Sequence, residues 1–294
     1  MKSGFVAIVG RPNTGKSTLI NALVGKKIAI TSHHPNTTRH AIRGIVNGSN
    51  FQAVLVDTPG VHKPKTLLGN RLNEVVVENL AEVDLIIMTL PANENFGTGD
   101  KHILDLIQGS KAKKIVALTK IDTVSKERIP ERLLEISHLA NWDEIVPVSA
   151  LKSIQVDALN EIFSKYLPDG PRLYPDDQLS DQSDEKLICE FIRESAIKGV
   201  REELPHSITV TLEELRKRQD KEFYDVHATI HVERDSQRAI LLGHKGEVLK
   251  EIGTAARKEI ETLLGSKCFL GLHIKVSKEW QRDPKLLERL GFTE

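Results

Sequence analysis

The stretch Gly10-Arg11-Pro12-Asn13-Thr14-Gly15-Lys16-Ser17 decides how the rest of the chain is read. It matches G-x-x-x-x-G-K-[ST] and stands between an apolar run at 5–9 and a helix-period segment at 17–24. That strand–loop–helix setting is the one the motif requires. Glycines let backbone N–H groups wrap a phosphate without Cβ clashes, and the N-terminus of the following helix adds a favourable dipole. The Lys16 ammonium can neutralise β- and γ-phosphate charge, and the Ser17 hydroxyl can ligate Mg²⁺. Gly10, Asn13, Thr14, Gly15, Lys16, Ser17 and Thr18 are therefore candidate contacts for the phosphates of a nucleotide. At ordinary glycine content a chance match in such a chain is on the order of 1%.

Outward from this loop, short apolar runs at 5–9, 43–46, 51–56, 85–90, 115–118 and 145–148 read as strands. Several are continuous rather than alternating, as expected for strands covered on both faces. Helix-period segments lie at 17–24, 72–81, 99–107 and 129–139. The alternation predicts an α/β domain over 1–170, with a mainly parallel sheet and helices on both faces. Residues 171–185 are rich in Pro and Asp and read as a linker. Over 186–294 the pattern becomes helix, strand, strand, helix, strand, which predicts a smaller α+β domain.

Three further motifs follow successive strands. Asp57-Thr58-Pro59-Gly60 places a carboxylate where it can hold Mg²⁺ through water and a glycine N–H where it can meet a γ-phosphate. Taken alone, the same residues make a good turn. In Thr119-Lys120-Ile121-Asp122 the Asp122 carboxylate can accept two hydrogen bonds from guanine N1 and N2, while the Lys120 stem lies over the ring. Ser149-Ala150-Leu151 can offer a backbone N–H to guanine O6.

In this order the motifs resemble those of translation-factor-type GTPases. The resemblance implies GTP and GDP as ligands with Mg²⁺ held by Ser17, Thr38 and Asp57, and Lys16, Thr38 and Gly60 as the catalytic set. Thr37 and Thr38, in Pro35-Asn36-Thr37-Thr38-Arg39-His40, fall where the family's first switch segment sits. Thr119 replaces the usual Asn, so a weaker tether between base loop and phosphate loop is expected. Val61 stands where Ras-like proteins carry a water-orienting Gln, and hydrolysis is expected to be slow without a partner or an ion. By analogy, Asn13 can hold K⁺, a second cation for the site. His33, His34, His40 and His62 lie around the expected switches.

In the second half, Gly243-His244-Lys245-Gly246 matches the GxxG loop of RNA-binding KH domains, joining an apolar run at 239–243 to a helix period. The four-residue match is weak alone and gains from that context. From Ser236 to Arg289 there are 11 Lys and Arg against 7 Asp and Glu, whereas 171–235 is net acidic. Gly243, His244, Lys245, Gly246, Lys250, Arg257 and Lys275 are the candidate RNA contacts, with Lys258, Lys278 and Arg282 as further cations. Surface lysines balanced by Glu247, Glu251, Glu259 and Glu261 are the plainer alternative.

A GTPase domain followed by one KH domain is the arrangement of the Era-type GTPases. This resemblance implies contact with small-subunit ribosomal RNA and the small ribosomal subunit, with peripheral membrane contact allowed and no obligate oligomer implied. Two other readings stay open: an RNA assembly chaperone with a structural, barely hydrolysed nucleotide, and an ATP-dependent kinase using the same loop.

Composition narrows the classes. Hydrophobic residues form 39% of the 294 and charged residues 28%, with 41 Lys and Arg against 41 Asp and Glu. A wholly disordered chain is excluded, as is nucleic-acid binding by bulk positive charge. No apolar run approaches the ~18 residues of a membrane span. Two cysteines and an immediate first strand after Met1 lead us to expect a reducing, cytoplasmic location without a leader.

Overall fold

A computed structural model describes residues 1–31, 42–58, 67–68, 80, 82–198, 207–219 and 221–290. Two compact units divide the chain: Met1–Ala29, Thr38–Pro64 and Leu72–Asp181 form the first, and Ile30–Thr37, Lys65–Arg71 and Gln182–Glu294 the second.

The first unit is a six-stranded sheet in the order β2-β3-β1-β4-β5-β6. Its strands are β1 (Lys2–Val9), β2 (Ile42–Asn47), β3 (Phe51–Asp57), β4 (Leu85–Pro91), β5 (Lys113–Thr119) and β6 (Glu144–Pro147). Only β2 runs antiparallel to its neighbour. Its helices are α1 (Lys16–Val24), α2 (Thr98–Gln108), α3 (Arg128–Ser137) and α4 (Val156–Tyr166). The continuous apolar strands have a direct cause. Val6 and Ile8 share a core with Leu19 of α1 and Phe163 of α4, whereas Ala7 and Val9 share another with Ile103 and Ile107 of α2. In β4, Leu85 and Ile87 face the first cluster and Ile86 and Met88 the second. Both faces are covered, so these strands are apolar on both sides apart from a few hydrogen-bonded polar residues such as Gln52 and Thr89.

The segment expected as a linker divides. Residues 171–181 lie along edge strand β2: Ile45 N–H donates to the Leu179 carbonyl at 2.9 Å, and Ser180 Oγ donates to that of Arg43 at 3.0 Å. The buried Gln52 amide clamps the segment, accepting from Leu173 and Tyr174 N–H at 2.7 and 2.9 Å and donating to the Tyr174 carbonyl at 2.9 Å. Such pairing covers an edge that would otherwise invite aggregation.

The second unit has a three-stranded sheet, β7 (Thr209–Lys217), β8 (Phe223–Val232) and β9 (Lys267–Val276), in that order. Helices α5 (Asp184–Lys198), α6 (Asp235–Leu242), α7 (Glu247–Leu264) and α8 (Pro284–Arg289) accompany it. Leu187, Ile188, Phe191 and Ile192 of α5 and Ile252, Ala256 and Ile260 of α7 share one core with the sheet. One expectation is corrected. The apolar run at 239–243 belongs to α6 and the turn after it, giving helix, strand, strand, helix, helix, strand. Leu241 is buried there, while Ile240 and Leu242 are 54% and 42% exposed, so the run has one inward position per turn. The helix expected at 72–81 lies almost wholly outside the described residues. Among those residues, no helix is long and apolar enough to cross a membrane.

Candidate functional site

Strand order sets where the site forms. β1 has β3 on one side and β4 on the other, so the connections diverge there and leave a crevice beyond the strands' C-terminal ends. The loop 10–17 emerges from β1 at that crevice. Gly10 is required by close approach, since a Cβ would lie 2.2 Å from Thr89 Oγ1 and 2.6 Å from Thr14 Oγ1. Asn13 (φ 65°) and Gly15 (φ 95°) take left-handed backbone, turning the loop's N–H groups as an anion nest requires.

Lys16 is buried, and its Nζ donates to the carbonyls of Gly10 and Arg11 at 2.9 and 2.7 Å. Burial lowers its pKa to about 8; Asp57 opposes that shift, and the Arg11 charge adds to it. An anion placed beside this ammonium would favour its charged form and offset the cost of burial. Ser17 Oγ donates to Asp57 Oδ2 at 2.9 Å, bringing a hydroxyl and a carboxylate together, the hard oxygen donors Mg²⁺ takes. Asp57 ends β3 across from Ile8 of β1, and Thr58 Oγ1 donates to the Ile8 carbonyl at 2.7 Å. Thr18 follows within α1. Gly60, Val61, Thr37, Thr38 and the four neighbouring histidines lie outside the described residues.

The base-loop expectation is corrected at Thr119. Its Oγ1 donates to the Thr14 carbonyl at 2.6 Å, so a hydroxyl makes the tether that loss of the amide is expected to weaken. Thr14 in turn shares a 2.6 Å hydroxyl contact with Thr89, whose Oγ1 donates to the Val9 carbonyl at 3.1 Å. Three threonines thus join β1, β4, β5 and the phosphate loop. Beyond Thr119, Lys120 adopts left-handed backbone (φ 58°), and Ile121–Thr123 form a 3-10 turn that buries Ile121 and exposes Asp122. The neighbouring loop is brought alongside by Val148 N–H, which donates to the Leu118 carbonyl at 2.8 Å. Ser149 pairs in both directions with Ile154, so Ala150 and Leu151 form the outer part of a closed loop, with Leu151 74% exposed.

Sequence reasoning missed a brace behind the loop. Arg11 Nε donates to the buried Asp100 at 2.7 Å, and its Nη2 to Glu94 at 3.1 Å, while Lys120 Nζ lies 3.8 Å from Glu94. The Asp100 hydrogen bond raises the Arg11 pKa against the burial that would lower it. Phosphate loop and base loop therefore share one acidic anchor. A carboxylate in the first turn of α2, after Gly97, is the available signal, but Arg11 is too distant in sequence for the pairing to be read.

In the second unit Gly243, His244, Lys245 and Gly246 form the turn between α6 and α7, with Lys245 at φ 50° and the glycines at 68° and 84°. His244, Lys245, Lys250 and Arg257 are all accessible to solvent, the last two on α7. Lys275 does not join them. It alternates with the core residues Ile274 and Val276 on β9 and so points from the sheet face opposite α7.

Comparison with known proteins agrees with this geometry. Residues 5–120 match the model of the 50S ribosome-binding GTPase family, and 203–281 that of the KH domain. The chain is 54% identical to GTPase Era of Mycolicibacterium smegmatis and 53% to GTPase Era of Mycobacterium avium, each over 99% of both chains. It belongs to the Era family of GTPases. Era in complex with MgGDPNP and nucleotides 1506–1542 of 16S ribosomal RNA superposes with a TM-score of 0.96 at 37% identity. A single-residue variant of Aquifex aeolicus Era bound to GDP.AlF4⁻ gives 0.95 at 36%, and both matches cover all of each chain. The fold is that of Era: a P-loop GTPase domain followed by a KH domain.

Proposed function

We propose that this Era-family chain is a GTP-driven switch that binds small-subunit ribosomal RNA through its KH domain and serves small-subunit assembly. The observation that carries the nucleotide half is the joining of phosphate loop to base loop through Thr14 and Thr119. It fixes the separation between a triphosphate grip and a carboxylate suited to guanine. In this reading 1–170 binds the nucleotide and 186–294 binds RNA, with 171–185 between them and 171–181 of that stretch held along β2 of the first unit.

Gly10, Asn13, Thr14, Gly15 and Thr18 surround the phosphates, and Lys16 exchanges its loop carbonyls for β- and γ-phosphate oxygens. Lys120, Asp122, Ser149, Ala150 and Leu151 hold the base. Ser17 and Asp57 hold Mg²⁺, with Thr38 completing the set; the ion supplies charge neutralisation on the β- and γ-phosphates. Thr37, Thr38 and Gly60 keep their switch roles as part of this proposal. A valine at 61 cannot orient water, so hydrolysis relies on another group, a metal ion or a partner; K⁺ held near Asn13 would supply part of an arginine finger's electrostatic role. The relative bound to MgGDPNP and 16S ribosomal RNA supports the pairing of these two ligands. Ribosomal RNA assigns the work to the cytoplasm, and peripheral contact with the inner face of the cell membrane stays within the proposal.

Displacement of a fluorescent GDP analogue by GTP, GDP and ATP tests the nucleotide assignment. GTP and GDP should compete at least about 10³-fold better than ATP, because a polar readout of the base penalises the wrong one heavily. Equal competition by ATP would favour the kinase reading instead.

A further inference from the structure

The KH-unit sheet carries α5 and α7 on one face; its other face holds a ring-and-cation surface that the GxxG loop does not share. Along β9 the positions turned away from the core are Lys267, Phe269, Gly271, His273 and Lys275, with no acid among them. Phe269 is 49% exposed, and its ring centroid lies 5.5 Å from that of His227 on β8, tilted by 53°. Gly271 pairs directly with His227, and a Cβ there would stand 2.6 Å from His227 Nδ1. Glycine therefore makes room for the imidazole to lie over the strand beside the phenyl ring.

The charge around the pair is mixed at one end of the face. Asp225, the acid paired across from Phe269, is gripped by Arg218 at 2.5 and 2.8 Å, Arg216 is shared between Glu214 at 3.3 Å and Asp225 at 3.5 Å, and Lys267 pairs with Glu261 at 2.7 Å. At the other end of the face, burial holds the His231 pKa below its ordinary value, with Lys275 and His273 adding to the shift and Glu213 opposing it. An exposed ring pair, with the exposed His273 and Lys275 farther along the same strand, suits bases stacked beside a phosphate chain better than a protein surface, which needs several apolar anchors.

We propose that the outer face of β9, centred on Phe269, His227 and Lys275, is a second contact for single-stranded RNA. Bases stack on the Phe269–His227 pair, and phosphates face Lys275. The proposal rests on the reading of this unit as RNA-binding and extends it to a strand longer than the roughly four nucleotides a GxxG loop clamps.

Fluorescence anisotropy on the full chain, with a labelled tetranucleotide and a labelled 16-nucleotide single strand, tests it. Phe269→Ala should weaken the long RNA about tenfold and leave the tetranucleotide within about twofold. Phe269→Tyr, which keeps the ring, should retain long-RNA affinity. Lys275→Gln should reduce the slope of log Kd against log salt by about 0.7 for the long RNA. Equal weakening of both RNAs, or no change in either, overturns the proposal, the latter leaving this face to a protein partner. Gly243→Asp run in parallel separates the two readings: persistence of tetranucleotide binding in that variant defeats the KH assignment, whereas its loss beside an unaffected Phe269→Ala defeats the second contact alone.

Discussion

Asp122→Asn should lower GTP affinity by about 10³-fold and bring xanthosine triphosphate to within about tenfold of the original GTP affinity. Guanine presents N1–H and N2–H₂ as adjacent donors, which a carboxylate accepts as a pair. An amide offers one acceptor and one donor, so it loses one bond and sets donor against donor. Xanthine, with a carbonyl at C2, restores the match. Charge-assisted hydrogen bonds are worth about 1.5–3 kcal/mol each, and an unsatisfied partner adds to the loss, so a total of about 4 kcal/mol is the scale. The substitution is nearly isosteric, and Asp122 is exposed while Ile121 beside it is buried, so the 3-10 turn keeps its shape. Competition against fluorescent GDP and xanthosine diphosphate gives both numbers. An unchanged purine preference would remove Asp122 from the base site.

The second large effect falls on RNA. Gly243→Asp should cost at least about 100-fold in RNA affinity and leave GTP binding within about twofold. Gly243 has φ 68° and ψ −175°, a region other residues enter only at about 1–3 kcal/mol. Its Cβ would meet Val248 Cγ2 at 2.5 Å and Val248 N at 3.0 Å, so the α6–α7 turn must shift. The new carboxylate would also stand where phosphates pass, repelling them. Gly246→Asp removes the Cβ clash, since nothing lies within 4 Å, but its φ of 84° keeps the backbone strain, so Gly246→Asn beside it separates the charge from the strain. If both Asp variants bind RNA normally, the turn is not the RNA contact. GTP titration of the same samples checks that the first unit is intact.

Much of the first unit is legible in the sequence because its physics is local and repetitive. A strand buried on both faces must be apolar throughout, and 85–90 and 115–118 are nearly so, Thr89 being the one polar residue. The phosphate loop also carries its own signature. Legibility fails where order depends on distant partners. Residues 171–181 look like a tether by composition, yet they are fixed by backbone pairing to β2 and by the amide of Gln52. Thr119 looks like a loss by side-chain type, yet β5 brings its hydroxyl within 2.6 Å of the Thr14 carbonyl, a distance set by sheet register. The run 239–243 is too short for periodicity to distinguish strand from helix, and only Leu241 turns inward. Lys275 groups with the GxxG loop by charge alone; strand alternation sends it to the opposite face.

Coupling between nucleotide and RNA is the central claim, and single-turnover GTP hydrolysis addresses it most directly. The purified full chain, preloaded with GTP and Mg²⁺, is followed with and without single-stranded RNA from the 3′ end of 16S ribosomal RNA, in K⁺ and in Na⁺. A slow basal rate that rises at least about tenfold with RNA is the expected result. A rate that stays flat under every condition would contradict the coupling and leave the nucleotide as a structural ligand of an RNA-binding protein.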